Sequence, residues 1–237
     1  MRNALVTGVS RRAGIGFAIA GRLEEAGARV FTQGWTPHDA AQAWGADETL
    51  TASLEADFAD PEAPARVVAA AREALGPLDV LVVNHARSGH GRLDELTAAN
   101  LDAFLHENVR ASLLLVKEFA AQFEGDTGRV VLLTSGAHLG PMTGELAYAV
   151  SKGALAIATR TLAEELADRG LTVNCINPGP TDTGWGLAEL EPRPRMPSGR
   201  WGEPDDAARL VAWLCSEDGR WITGQVIDSE GGFRRFS

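Results

Sequence analysis

The chain has 237 residues, 45% of them hydrophobic and 23% charged, which suits an α/β domain with a sizeable core and excludes a disordered chain. Its 32 acidic and 22 basic side chains leave a net charge of −10, which opposes non-specific nucleic-acid binding. Its apolar runs are far too short to span a bilayer, Cys175 and Cys215 are too few for a disulfide framework, and no charged-then-apolar leader opens the sequence, so a cytoplasmic setting is expected.

Strand-like and helix-like runs alternate along the chain. Residues 4–7 read as a strand, followed by a glycine-rich turn and a helix over about 15–26. Residues 29–33 read as a second strand and 50–56 as a third. Asp60 and Pro61 then read as the cap and first position of a helix that stops at Gly76-Pro77. Strands follow at 79–84, 130–135, 172–176 and 225–228, with long helices over about 101–123 and 146–169. Several strands are unbroken aliphatic runs, the pattern of a parallel sheet buried on both faces. This alternation predicts one doubly wound α/β domain over residues 1–237, with no repeat or linker. The stretch 184–204 breaks the rhythm: it is rich in Gly, Pro and Arg and carries Trp185 and Trp201. Its place after a strand end predicts a substrate loop or lid, with a plain surface excursion as the alternative.

Charge and composition are uneven. Residues 1–35 hold five arginines against Glu24 and Glu25, whereas residues 36–110 hold 13 acidic and 5 basic groups. A basic cluster in an acidic chain points to an anionic ligand, or else to a solvated face. Of the basic residues only Lys117 and Lys152 are lysines, and a surviving lysine in so arginine-rich a chain marks a position that arginine would not serve; Tyr148 is the only tyrosine.

The first turn, Thr7-Gly8-Val9-Ser10-Arg11-Arg12-Ala13-Gly14-Ile15-Gly16, puts strand, glycine-rich loop and helix start in the order a dinucleotide pyrophosphate needs. The second strand ends in Gln33-Gly34-Trp35-Thr36, with no acid before Asp39 to hold a ribose 2′-hydroxyl, and Arg11 and Arg12 stand within reach of a 2′-phosphate. NADP(H) is therefore favoured, with NAD(H) left open. Tyr148 and Lys152 are four apart and share a face if helical. A phenol with a pKa near ~10 is a poor acid or base at neutral pH, and a neighbouring ammonium lowers that value. The same spacing also suits a packing pair.

Thr7–Gly16, Tyr148-x-x-x-Lys152 and Asn177-Pro178-Gly179 together resemble the short-chain dehydrogenase/reductase family, over essentially the whole chain. Ser135 stands where that family keeps a catalytic serine, and Asn108 follows Asn84 at the spacing of the family's catalytic asparagine. Ile222-Thr223-Gly224-Gln225 and Gly231-Gly232-Phe233 resemble its ending. The resemblance implies a Rossmann-like, three-layer α/β/α fold and a homotetramer or homodimer. It also implies hydride transfer between a nicotinamide cofactor and a carbonyl or alcohol. Tyr148 would protonate the carbonyl oxygen, Lys152 would hold the ribose and lower the Tyr148 pKa, and Ser135 would stabilise the oxyanion. Asn108 would hold a water that links Lys152 to solvent. Cofactor contacts would come from Gly8, Ser10, Arg11, Arg12, Gly14, Ile15, Gly16, Trp35, Asp57, Phe58, Asn84, His85, Ala86, Pro178, Gly179, Thr181 and Thr183. His138 and Trp185 are candidate substrate contacts.

Two features depart from the family's pattern, and a third separates the chain from one branch of it. The first loop is two residues longer. Val83-Asn84-His85-Ala86 keeps only the second Asn of the family's Asn-Asn-Ala-Gly. Related enoyl reductases space Tyr and Lys by six intervening residues, whereas three intervene here, which favours carbonyl reduction. Many relatives are 3-oxoacyl-carrier-protein reductases, and Arg193, Arg195 and Arg200 offer a basic patch for an acidic carrier; a small ketone or sugar is the rival substrate. His38, His85, His90, His106 and His138 lack a Cys or carboxylate set, so no metal is expected. A cofactor-binding regulator and a structural subunit are the rivals from other classes.

Overall fold

The computed structural model describes residues 1–236 apart from Ala43 and residues 185–186, 188–190 and 193–194. Seven strands, β1 (Asn3–Thr7), β2 (Arg29–Gly34), β3 (Leu54–Glu55), β4 (Val80–Val83), β5 (Gly128–Leu133), β6 (Leu171–Asn177) and β7 (Val226–Asp228), pair in parallel in the order β3-β2-β1-β4-β5-β6-β7. Helices cover both faces. On one side α1 (Ile15–Glu25) packs on α7 (Pro204–Cys215); on the other lie α3 (Ala63–Leu75), α5 (Ala111–Gln122) and α6 (Leu146–Leu166). Alternate residues of β1 feed the two cores, Leu5 one and Ala4 and Val6 the other, and all three are fully buried. This is the doubly wound, Rossmann-like sheet expected. Its order reverses between β1 and β4, which opens a crevice beyond their carboxyl ends.

Four local expectations need correction. β3 is two residues long because Thr32 and Ser53 exchange side-chain bonds with each other's amides (3.1 and 3.0 Å) where ladder bonds would otherwise begin. The α3 helix starts at Ala63; Asp60 caps the turn before it, its carboxylate accepting from the Glu62 amide at 2.9 Å. The expected 101–123 helix is α4 (Ala98–Phe104), a π-helical turn (Leu105–Arg110) and α5. Helices α2 (Thr36–Ala40) and α7 went unpredicted. For α7 the signal was present: Pro204 sits in the first turn with Asp205 and Asp206, ahead of buried Ala207, Ala208, Val211 and Leu214. No helix among the described residues is long and apolar enough to cross a membrane.

Candidate functional site

A cleft of about 640 Å³ opens at the carboxyl ends of the strands. At the dinucleotide end, β1 runs into Gly8, whose φ of +73° suits glycine alone. The Asn84 side chain donates to the carbonyls of Thr7 (3.1 Å) and Gly8 (3.0 Å), tying the end of β4 to this turn. Gly16 lets α1 pass the same spot, since a Cβ there would lie 2.5 Å from the Gly8 carbonyl oxygen. The α1 helix has no side-chain cap, and its capping position Gly14 and first residue Ile15 face the cleft, so its free amides and positive dipole end point inward.

His85 replaces a residue of the expected strand motif and is locked in place. Its Nε2–H donates to the Glu107 carbonyl (3.0 Å), which leaves Nδ1 to accept from the Thr7 hydroxyl at 2.9 Å. Burial pushes its pKa down to about 3, with the nearby Lys152 charge adding to the effect, so the ring is neutral. Phe58 packs on it with ring centroids 4.1 Å apart.

Ser135 follows β5, and Tyr148 and Lys152 occupy the first two turns of α6; all three line the cleft. The Thr134 hydroxyl donates to the Lys152 carbonyl at 2.7 Å, which fixes the β5 end against α6. Among the described residues, Ser135 Oγ meets only the Met142 sulfur, at 3.5 Å. Lys152 is 2% exposed, and its ammonium has no hydrogen-bond or ion-pair partner among the described residues. Burial lowers its pKa to about 8. Tyr148 shifts the other way from the expectation: burial, and then the Glu145 charge, raise it to about 12. Burial outweighs any relief from Lys152, whose own charge is destabilised in the same pocket.

Gly8, Ser10, Arg11, Gly14, Ile15, Trp35, Asp57, Phe58, Asn84, His85, Ala86, Pro178, Gly179, Thr181 and Thr183 also line the cleft. Other candidates do not. Gly16 is packed beneath the turn. Arg12 turns outward, its side chain 53% exposed and bound to the Thr49 carbonyl at 2.9 Å, because the lengthened loop meets the 47–49 segment there. Asn108 is buried below the wall: its side chain accepts from the Arg87 amide (2.6 Å) and donates to the Arg87 carbonyl (3.0 Å) and to Ser151 Oγ (2.8 Å). With those bonds made, the side chain braces the β4 loop against α6. His138 points to Asp228 (3.1 Å) and does not line the cleft. Trp185 and Arg193 lie outside the described residues; Trp201 is off the cleft, Arg200 is bound to Asp206 at 2.7 Å, and Arg195 faces the cleft.

The sequence reading missed several cleft residues. Asp39 folds back from α2 onto Arg11 (3.1 Å), whose guanidinium also stacks over Trp44 at 4.5 Å and donates to the Thr183 carbonyl at 2.6 Å. Arg11 Nη2 makes no hydrogen bond among the described residues. Met142, Arg87, Glu230 and Arg235 also line the cleft, and no local motif marks them.

Comparison with known proteins agrees with this arrangement. The profile of the family described as Enoyl-(Acyl carrier protein) reductase matches residues 8–234. The uncharacterized oxidoreductase YjdA of Bacillus subtilis is 40% identical over 98% of this chain and 96% of its own length. A short-chain dehydrogenase from Burkholderia cenocepacia in complex with NADP superposes with a TM-score of 0.84 at 40% identity, covering 98% of this chain and 97% of that one. A blue fluorescent protein from a metagenomic library, in complex with NADPH, gives a TM-score of 0.85 at 34% identity over 98% and 97% of the two chains. Fold order, cleft and sequence thus converge, and the chain belongs to the short-chain dehydrogenase/reductase family of oxidoreductases.

Proposed function

We propose that this chain reduces a small carbonyl compound to a secondary alcohol with NADP(H), in one catalytic domain closed at the substrate end by the 184–204 stretch. The observation that carries the reading is that Ser135, Tyr148 and Lys152 line the same cleft as the uncapped start of α1. The residues fit the cofactor: the buried Lys152 ammonium, without a partner among the described residues, suits ribose hydroxyls, and Arg11 Nη2, likewise without a hydrogen bond among them, suits a 2′-phosphate. Asp39 neutralises the other edge of that guanidinium and holds it in the cleft. When bound, the nicotinamide supplies the hydride.

The protein's own residues do the rest. The Ser135 hydroxyl donates to the carbonyl oxygen as charge develops there. Tyr148, protonated at neutral pH with its pKa near 12, gives its proton to that oxygen, because an alkoxide is a far stronger base than a phenolate. Lys152, a cation below about pH 8, stabilises the phenolate left behind. The reductive rate should therefore fall as pH rises through about 8. The spacing of Tyr148 and Lys152 favours carbonyl over enoyl reduction. Among the described residues, Arg200 of the expected carrier-docking patch is taken up by Asp206, which favours a small substrate. Assembly as a homotetramer or homodimer is part of the proposal.

The test is NADPH oxidation with methyl pyruvate and acetophenone as probe ketones. Tyr148→Phe should lower turnover about 10²–10⁴-fold while leaving NADPH binding intact. Equal turnover by the Phe variant would overturn the assignment.

A further inference from the structure

The segment after β7 joins the loops after β5 and β6 to the irregular stretch at the substrate end. The Glu230 carboxylate is 9% exposed and the Arg235 guanidinium 17%, and the two form a bidentate ion pair inside the cleft. Asn177, at the end of β6, donates to the same carboxylate at 2.6 Å, and the Glu230 backbone lies against Gly179, where a Cβ would come within 2.7 Å of its Cα. Arg235 lies directly over Gly136, next in sequence to Ser135: a Cβ on Gly136 would be 1.8 Å from its Nη2, and one on Gly140 would be 2.9 Å from its Cδ. The Arg234 amide donates to the Arg195 carbonyl at 2.9 Å, which ties the segment to the irregular stretch as well.

We infer that the Glu230–Arg235 pair forms the end wall of the substrate site and restricts it to compact, uncharged carbonyl compounds; the inference rests on the carbonyl-reductase reading above. Two arguments support it. The guanidinium fills the space beside Ser135, where a longer substituent on the carbonyl would extend. The whole cleft, both ends together, measures about 640 Å³, within the range of roughly 300–1,000 Å³ usual for one ligand, so little room is left beside a dinucleotide. Charge follows the same logic. Arg235 has a saturated counter-ion, so a substrate carboxylate brought to it would meet Glu230. Other charged side chains lining the cleft are of both signs: Arg87 is paired with Glu107 at 2.8 Å, the partly buried Glu145 lies 3.8 Å from His90, and Arg195 is exposed.

Three probes separate size from charge: methyl pyruvate (compact, neutral), pyruvate (compact, anionic) and acetophenone (bulky, neutral). Arg235→Ala should raise kcat/KM for acetophenone relative to methyl pyruvate at least about tenfold, the scale at which pocket size discriminates. Glu230→Gln, which leaves the guanidinium without a counter-ion, should raise pyruvate relative to methyl pyruvate by about tenfold or more. A general loosening of the fold would lower all three probes together and leave both ratios unchanged. Either ratio staying within about twofold of wild type overturns the size or the charge claim that it measures. If Arg235→Ala does not fold, Arg235→Met opens the same contrast with the stem kept. If no probe is turned over, dissociation constants of the same probes for the NADP⁺ complex, read by saturation-transfer NMR, decide the wall's role by the same ratios; absent turnover then counts against the carbonyl-reductase reading alone.

Discussion

The two ends of the cleft are built on different principles. At the dinucleotide end the wall is backbone: the Gly8 turn, the start of α1 and the end of β4 are locked by the Asn84 side chain and by the Thr7–His85–Glu107 chain of hydrogen bonds. At the substrate end the wall is side chain: the loops after β5 and β6 are held by an ion pair from a distant segment, and among the described residues the Ser135 hydroxyl meets a thioether alone. Backbone walls suit a ligand that is always the same, since they tolerate almost no substitution. Side-chain walls can be re-cut without disturbing the sheet, which is where substrate choice can change.

The difference can be broken at either end. The largest effect is expected for Gly16→Ala. Its Cβ would fall 2.5 Å from the Gly8 oxygen and 2.6 Å from Asn84 Nδ2, so the turn must shift. A loss of about 3 kcal/mol in unfolding free energy is expected, together with weakened nucleotide binding; both are read by denaturant titration with and without NADPH.

A smaller effect of opposite sign is expected for Lys152→Met. The folded protein carries a buried ammonium whose pKa falls from 10.5 to about 8, so folding disfavours its protonated form. The cost is fully present below about pH 8 and is relieved as pH rises toward 10.5. The methionine variant should gain about 1–3 kcal/mol at neutral pH, lose the rise in stability above pH 8, and lose turnover. Thermal unfolding between pH 7 and 10 distinguishes the two proteins. The smallest effect is reserved for His138→Gln. Its partner Asp228 is half exposed and the pair lies off the cleft, so stability and kcat/KM should change by less than about 0.5 kcal/mol.

The same contrast explains what could be read from the chain. The dinucleotide end was legible because its chemistry is local: Gly8, Gly14 and Gly16 lie within one turn, and Tyr148 and Lys152 within one helix face. Asn84 stood out through its spacing to Asn108, yet its role as the clamp on Gly8 emerges only from the sheet order. The direction of the Tyr148 shift was misjudged because sequence shows the neighbouring cation and not the depth of burial. Arg12 and His138 were placed by proximity in sequence, whereas the 47–49 segment and Asp228, both remote, decide where they point. Glu230 and Arg235 were invisible because their partners Asn177 and Gly136 are far away along the chain. Asp39 was noted only as the first acid after β2; the α2 turn carries it back onto Arg11.

The account rests most heavily on the cofactor assigned to the backbone-built end. A fluorescence titration of wild type and Arg11→Ala with NADPH and NADH tests it without knowledge of the substrate. Wild type should prefer NADPH, and the alanine variant should lose about tenfold in NADPH affinity with little change for NADH, the loss of one charge-assisted contact to a phosphate. Equal binding of the two nucleotides by wild type, or an equal loss for both in the variant, would contradict the role given to Arg11. Failure to bind either would contradict the account of the cleft itself.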